Sequence, residues 1–229
     1  KIIIACLAET EIDFLKVRTT ENMETLTTIV DAAKEHGLDL YGHVTFLNPE
    51  QIIETGFKSV EHILYPTLDD KSREDREVIW AQMRDAGVYM APTLAAFQAG
   101  TFSSDEDIES LFNNSASTPK EMDYLSKFLY LDWREQASER SSEQLGFFTQ
   151  IYEVMLVNWK EMLEVGIPFI TGSDTTLLNL FPGVAIHKEL ELFVSQLRLT
   201  PMEAIQSATI TPANMLGQGE RLGTIEVGS

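Results

Sequence analysis

Short apolar runs alternate with longer amphipathic stretches along this chain, and no other feature constrains its fold as tightly. Residues 12–17 read as a strand, and 20–35 as the helix after it, with Thr20 placed to cap its start and Gly37 to end it. A second strand is expected at 38–44. The helix at 49–54 is opened by Asn48-Pro49, since proline suits a first helical turn. Strand 57–63 and helix 72–85 make a third unit, and 87–92 and 167–172 read as a fourth and a fifth strand. Between the last two, residues 95–120 are rich in Ser, Asp, Asn and Gly and read as a surface excursion or lid. Residues 122–165 read as helix in two pieces that meet near Ser141. Further helices are expected at 184–196, 201–208 and 212–216, and 222–227 reads as the start of another strand.

Strands alternating with helices imply a parallel α/β sheet covered on both faces. Five such units are too few to close an eight-stranded barrel, which takes about 250 residues. An open five-stranded sheet leaves two edges to protect. Either further strands lie outside this sequence or the fold is doubly wound, and spacing does not choose.

Charge and hydropathy narrow the partners. Thirty-six acidic residues against seventeen basic ones give a net charge of −19, a surface that repels phosphate backbones and argues against nucleic acid. The apolar run at 2–8 is too short to span a bilayer, so we expect no membrane partner and a soluble chain of undecided compartment. The single cysteine, Cys6, has no internal disulfide partner and is expected as a buried, inert thiol. The chain opens on Lys1 and reads as an excerpt of a longer one.

The chemistry is expected where parallel strands end, because α/β proteins build their sites there. Lys16 ends the first strand, His43 the second and His62 the third, and Asp174 follows the fifth. Each has an ordinary explanation alone: a structural histidine, a lysine reaching for water, an aspartate capping a turn. Two imidazoles, a carboxylate and an amine at one sheet edge together favour a divalent metal site, suited to zinc and also to manganese or iron. Tyr41, Tyr65 and Thr93 lie near strand ends and are candidate substrate contacts. His187, early on its helix, is a candidate for the site mouth or for support of the Asp174 loop. His36 is expected at the surface, on the negative end of a helix dipole. Phe128, Trp133, Phe147, Phe148, Tyr152 and Trp159 read as helix packing.

The segments Ile12-Asp13-Phe14-Leu15-Lys16-Val17, Tyr41-Gly42-His43-Val44, Ser59-Val60-Glu61-His62 and Thr171-Gly172-Ser173-Asp174-Thr175 resemble the fourth, fifth, sixth and eighth barrel strands of the amidohydrolase superfamily. The tail, with Leu199-Thr200-Pro201-Met202-Glu203-Ala204 and Leu222-Gly223-Thr224-Ile225-Glu226-Val227-Gly228, is similar to the helices and exit strand that close such enzymes. The branch most alike is the imidazolonepropionase-like and prolidase-like one. The resemblance implies a (β/α)8 TIM barrel, represented here by strands 4–8 over 1–220, with an insertion at about 95–140 after strand 7. It also implies a return toward a small β-sandwich domain at 221–229.

By that resemblance, Lys16 is carboxylated and bridges two divalent ions, His43 and His62 ligate one of them, and Asp174 binds the other and acts as general base. The implied activity is metal-dependent hydrolysis of a carbon–nitrogen bond in a small molecule, with one or two divalent ions, zinc in kind, as cofactor. The family's first strand carries two histidines separated by one residue. Here the histidines are His36, His43, His62 and His187, and no two are so spaced. The remaining ligands are therefore expected on a missing N-terminal barrel half or a partner chain, with a homo-oligomer as a further option. A non-catalytic remnant that binds metal or ligand is the alternative, and no Gly-rich phosphate loop follows any strand to suggest a nucleotide.

Overall fold

A computed structural model describes residues 2–227 except 11, 21, 45–46, 63–67, 69, 103, 114–115, 117 and 176, with the backbone alone at 100–102 and 142–148. Its elements run α1 (Ile2–Ala8), β1 (Phe14–Val17), α2 (Met23–Glu35), β2 (Asp39–Gly42), α3 (Pro49–Thr55), β3 (Phe57–Glu61), α4 (Arg73–Asp85) and β4 (Tyr89–Ala91). There follow α5 (Leu94–Phe102), α6 (Asp105–Phe112), a 3-10 turn (Lys120–Tyr124), α7 (Lys127–Glu139), α8 (Ser142–Glu164), α9 (Ala185–Ser195), α10 (Pro201–Ser207) and α11 (Ile210–Met215). The chain divides into two compact units, one of Lys1–Pro92, Val157–Ile170 and Gln206–Ser229, the other of Thr93–Leu156 and Thr171–Ile205. No helix among the described residues is long and apolar enough to cross a membrane.

The first unit holds a parallel sheet in the order β1-β2-β3-β4. Register pairs Val17 with Gly42 and Gly42 with Val60, so the C-terminal ends of three strands meet at one edge. Helices cover it for reasons written in their sequences. Asn48 and Gln51 form a reciprocal capping box ahead of α3, Pro49 opens that helix and Gly56, at φ 80°, closes it. Ser72 caps α4 through the Asp75 amide. Asn22, rather than Thr20, caps α2, because its side chain reaches the Thr25 N–H at 2.9 Å. Leu26, Val30 and Ala33 of α2 are buried at helical spacing, as are Trp80 and Met83 of α4. Each large side chain so removed from water contributes about 1.5–3 kcal/mol. Arg76 grips Glu161 in two parallel bonds, Nε to Oε2 at 2.8 Å and Nη2 to Oε1 at 2.6 Å.

Three sequence expectations change here. The fifth strand is reduced to one bridge, Met90 opposite Phe169, held by the Met90 N–H to Pro168 O and the Ile170 N–H to Met90 O. The described residues of 222–227 form turns rather than a strand, and Ile225 is exposed, with no strand beside it among the described residues. Cys6 is exposed rather than buried, on α1 beside exposed Ile2 and Ile3. His36, as expected, is exposed and forms the C-cap of α2.

The second unit shows that the stretch 95–120, read as a surface excursion or lid, is largely helical. That stretch carries α5 and α6, and Ser104 with Asp107 forms a capping box at the start of α6. Ile108 and Leu111 of α6 pack with Leu129, Trp133 and Leu178 into a buried cluster, and Phe181 meets the Trp133 ring edge-on at 5.0 Å. The helical region does break beside Ser141, where α7 ends in Glu139 and α8 begins at Ser142. Trp133, Tyr152 and Trp159 are buried as anticipated, but Phe128 is exposed, and the Phe147 and Phe148 side chains lie outside the described set.

One carboxylate is sealed into this second core. Glu189 of α9 is fully buried and accepts the Leu94 N–H at 2.9 Å and the Ala95 N–H at 2.6 Å, capping α5. Burial pushes its carboxyl up to about 8, against the pull of those two amides. Burial and then Glu189 raise the Tyr152 phenol to about 12, so it stays protonated.

Candidate metal centre

Lys16, His43 and His62 gather at the sheet edge because the ends of β1, β2 and β3 are in register there. Gly42 sets the position of His43. Its φ is 134°, and a Cβ built on it would lie 2.0 Å from the Val17 carbonyl oxygen, so only glycine lets β2 run this close to β1. The His43 N–H then donates to that same oxygen at 2.9 Å. On the next strand, the His62 N–H donates to Ala91 O at 2.8 Å while its backbone turns into the left-handed region, φ 64°.

These two anchors bring the imidazoles face to edge, with ring centroids 4.4 Å apart and planes at 88°. Their Nε2 atoms lie 2.8 Å apart. As a hydrogen bond, that distance needs a proton on one Nε2 and a lone pair on the other. With both lone pairs turned to one ion about 2.0–2.1 Å away, a tetrahedral site would hold the nitrogens roughly 3.3 Å apart. The rings need part by only about half an ångström to admit it.

Glu61 completes a potential ligand set that sequence reasoning passed over. Its carboxylate and the two imidazoles offer ligand atoms that all lie within 4.8 Å of one another. Lys16 Nζ stands 2.7 Å from Glu61 Oε2, and His43 Nε2 stands 3.7 Å from it. The Lys16 side chain is 51% exposed and that of Glu61 only 16%. The donor set of two imidazoles and a carboxylate fits a divalent ion such as zinc. The local signal for Glu61 was weak, since in a regular strand it points away from the face that its neighbour His62 occupies.

The other sequence candidates are distributed differently. Tyr41 is buried and packs on Phe14 at 4.6 Å, and burial, followed by Asp39 and Tyr89, raises its phenol. Tyr65 lies outside the described residues. Asp174, Thr93 and His187 belong to the second unit. There Asp174 is exposed with φ 48°, and His187 is exposed in the first turn of α9. Thr93 is buried with φ 50°, and its carbonyl accepts the Ala96 N–H at 3.0 Å as α5 begins. Non-glycine residues rarely adopt such φ values, and they concentrate at functional sites and tight turns. His62 does so directly after β3, and Thr93 two residues after β4.

A model of the amidohydrolase family matches residues 16–229. No curated protein sequence matches this chain. Among solved structures, it is similar to a Xaa-Pro dipeptidase with methionine bound in its active site, at 21% identity and a TM-score of 0.60 over 98% of this chain and 49% of that one. It is also similar to a bottromycin amidohydrolase (16% identity, TM-score 0.65, 95% and 50%) and to the ochratoxinase of A. niger (18%, 0.60, 94% and 42%). The chain thus spans about half the length of the structures it matches.

Proposed function

We propose, from the premise that this chain belongs to the amidohydrolase family, that it carries part of the catalytic barrel of a metal-dependent hydrolase. The bond cut is a carbon–nitrogen bond, amide or peptide, in a small molecule. The convergence of His43, His62 and Glu61 within ligand distance of one another carries this reading. The likeness to a dipeptidase fold supports a prolidase-like branch. In this reading β1 to β3 are barrel strands four to six. Among the described residues β1 pairs with β2 alone, and its other edge is where further strands of the barrel would add.

His43 and His62 would hold a divalent ion, zinc by the chemistry of the donors. Such an ion polarises a scissile carbonyl and makes water acidic enough to supply a nucleophile near neutral pH. By its family position Asp174 would be the general base, taking a proton from the attacking water and giving it to the leaving amine. By the resemblance Lys16 would serve as a carbamate, since carboxylation converts a cation that repels metal into an anionic oxygen ligand; in the structure it is the amine, paired with Glu61 Oε2. Tyr41, Tyr65, Thr93 and His187 are the residues proposed to contact or orient substrate.

The test is hydrolysis of a dipeptide panel by the full-length protein with zinc or manganese added. Turnover that requires metal, and that disappears in Asp174→Asn with metal still bound, is the expected result. Metal uptake without turnover of any amide would instead favour a binding-only protein.

A further inference from the structure

We propose that Glu61 is a third metal ligand beside His43 and His62, an inference that rests on the metal-hydrolase reading of the same site. Consecutive residues of a regular strand point to opposite faces, so Glu61 and His62 would ordinarily not serve one site. The backbone breaks that rule here. His62 adopts φ 64°, a left-handed conformation that costs an L-residue about 1–2 kcal/mol, and both side chains reach the same ligand cluster. Strain of this kind persists where the surroundings impose it, and here it gathers two donors from adjacent positions.

The carboxylate itself points to a cation. Glu61 Oε2 is buried and accepts no hydrogen bond of normal angle. Its close cationic neighbour is the Lys16 ammonium at 2.7 Å, carried on a half-exposed side chain that can swing toward water. A buried carboxylate oxygen needs a cation beside it; Lys16 supplies one here, and a bound metal would take its place. Two histidines and one glutamate also form a donor set used in catalytic zinc sites, where the fourth position stays open for water or substrate.

The experiment loads the full-length protein, and its Glu61→Gln variant, with cobalt(II). It compares affinity and the visible spectrum at saturation. The Glu61 assignment predicts an affinity at least about tenfold weaker and a changed spectrum, while the chelator-treated variant melts as a folded protein. An unchanged spectrum overturns the assignment, whether or not affinity falls, because Glu61 would then act from outside the coordination shell. If the parent protein takes up no cobalt or zinc, the hydrolase reading fails as well. If it binds metal with a spectrum indifferent to Glu61, only the ligand assignment fails.

Discussion

His43 Nε2 and His62 Nε2 face each other at 2.8 Å across the ends of two adjacent strands. Two imidazoles so placed have a shared task, because either a proton or a metal must occupy the space between their lone pairs. Replacing either histidine with asparagine is expected to reduce metal affinity at least about tenfold and to abolish metal-dependent hydrolysis. Metal analysis after dialysis measures the first effect and the dipeptide assay the second. Imidazole must be neutral to ligate, so bound metal should also be lost as the solution is made acid. Retention of full metal content by both variants would remove these residues from the site.

Gly42 gives a prediction about how the site is built. An added methyl at this position meets the Val17 carbonyl oxygen at 2.0 Å, and φ 134° strains any L-residue. That oxygen also accepts the His43 N–H, so relief of the clash must move the ligand-bearing strand end. Gly42→Ala should therefore cost at least about 2 kcal/mol and lower Tm by roughly 4–8 °C for a chain of this size. Metal affinity should fall with it. A variant that melts with the parent would show that β2 need not pass so close to β1.

Lys16, His43 and His62 were legible in the sequence because each ends or follows a short apolar run of strand length, and strand ends collect chemistry. The start of α3 at Asn48-Pro49 was legible from residue type alone, whereas the cap expected at Thr20 falls to Asn22. What escaped reading depended on backbone turns and on partners distant in the chain. Glu61 was hidden by strand alternation, which His62 breaks through its φ. The α6 helix was masked by polar composition, although Ser104 and Asp107 already stood at capping-box spacing. Residues 167–172 and 222–227 have strand-like sequences, but a strand exists only where another pairs with it. At 169 the pairing shrinks to one bridge, and at 222–227 none is present among the described residues.

Arg76 and Glu161 form a pair whose loss should be severe. Glu161 is buried, both its oxygens accept from the guanidinium, and Trp80 Nε1 adds a longer bond at 3.4 Å. Arg76→Met leaves that carboxylate without its cation, which for a buried pair costs about 3–5 kcal/mol. The hydrogen bond from Arg76 is the largest influence holding the Glu161 carboxyl below the ordinary range. Its contribution is thus present above the ordinary glutamate pKa of about 4.3 and fades as pH falls below it. Urea melts from pH 7 to pH 3 should show the parent losing that increment while Arg76→Met shows a flatter acid limb. Parallel acid limbs would mean that the pair contributes no net stability.

Glu189 should give the opposite pH dependence. Burial raises its carboxyl to about 8, so the folded chain holds a proton that the unfolded chain releases near the ordinary value. Between those values the folded state binds more protons, and stability must fall as pH rises. The contribution is complete below about pH 4.3 and is lost as pH climbs through about 8. Glu189→Gln should remove this slope at a cost. Its amide has one oxygen for two backbone donors, Leu94 and Ala95, and the –NH2 group must face one of them. An orphaned buried N–H costs about 1–3 kcal/mol, so at pH 6 the variant should melt several degrees below the parent. At pH 9, where the parent bears the cost of a buried charge, the two should converge. If the parent's melting temperature is flat from pH 5 to pH 9, or the variant keeps the parent's slope, the buried carboxylate is not the group that titrates.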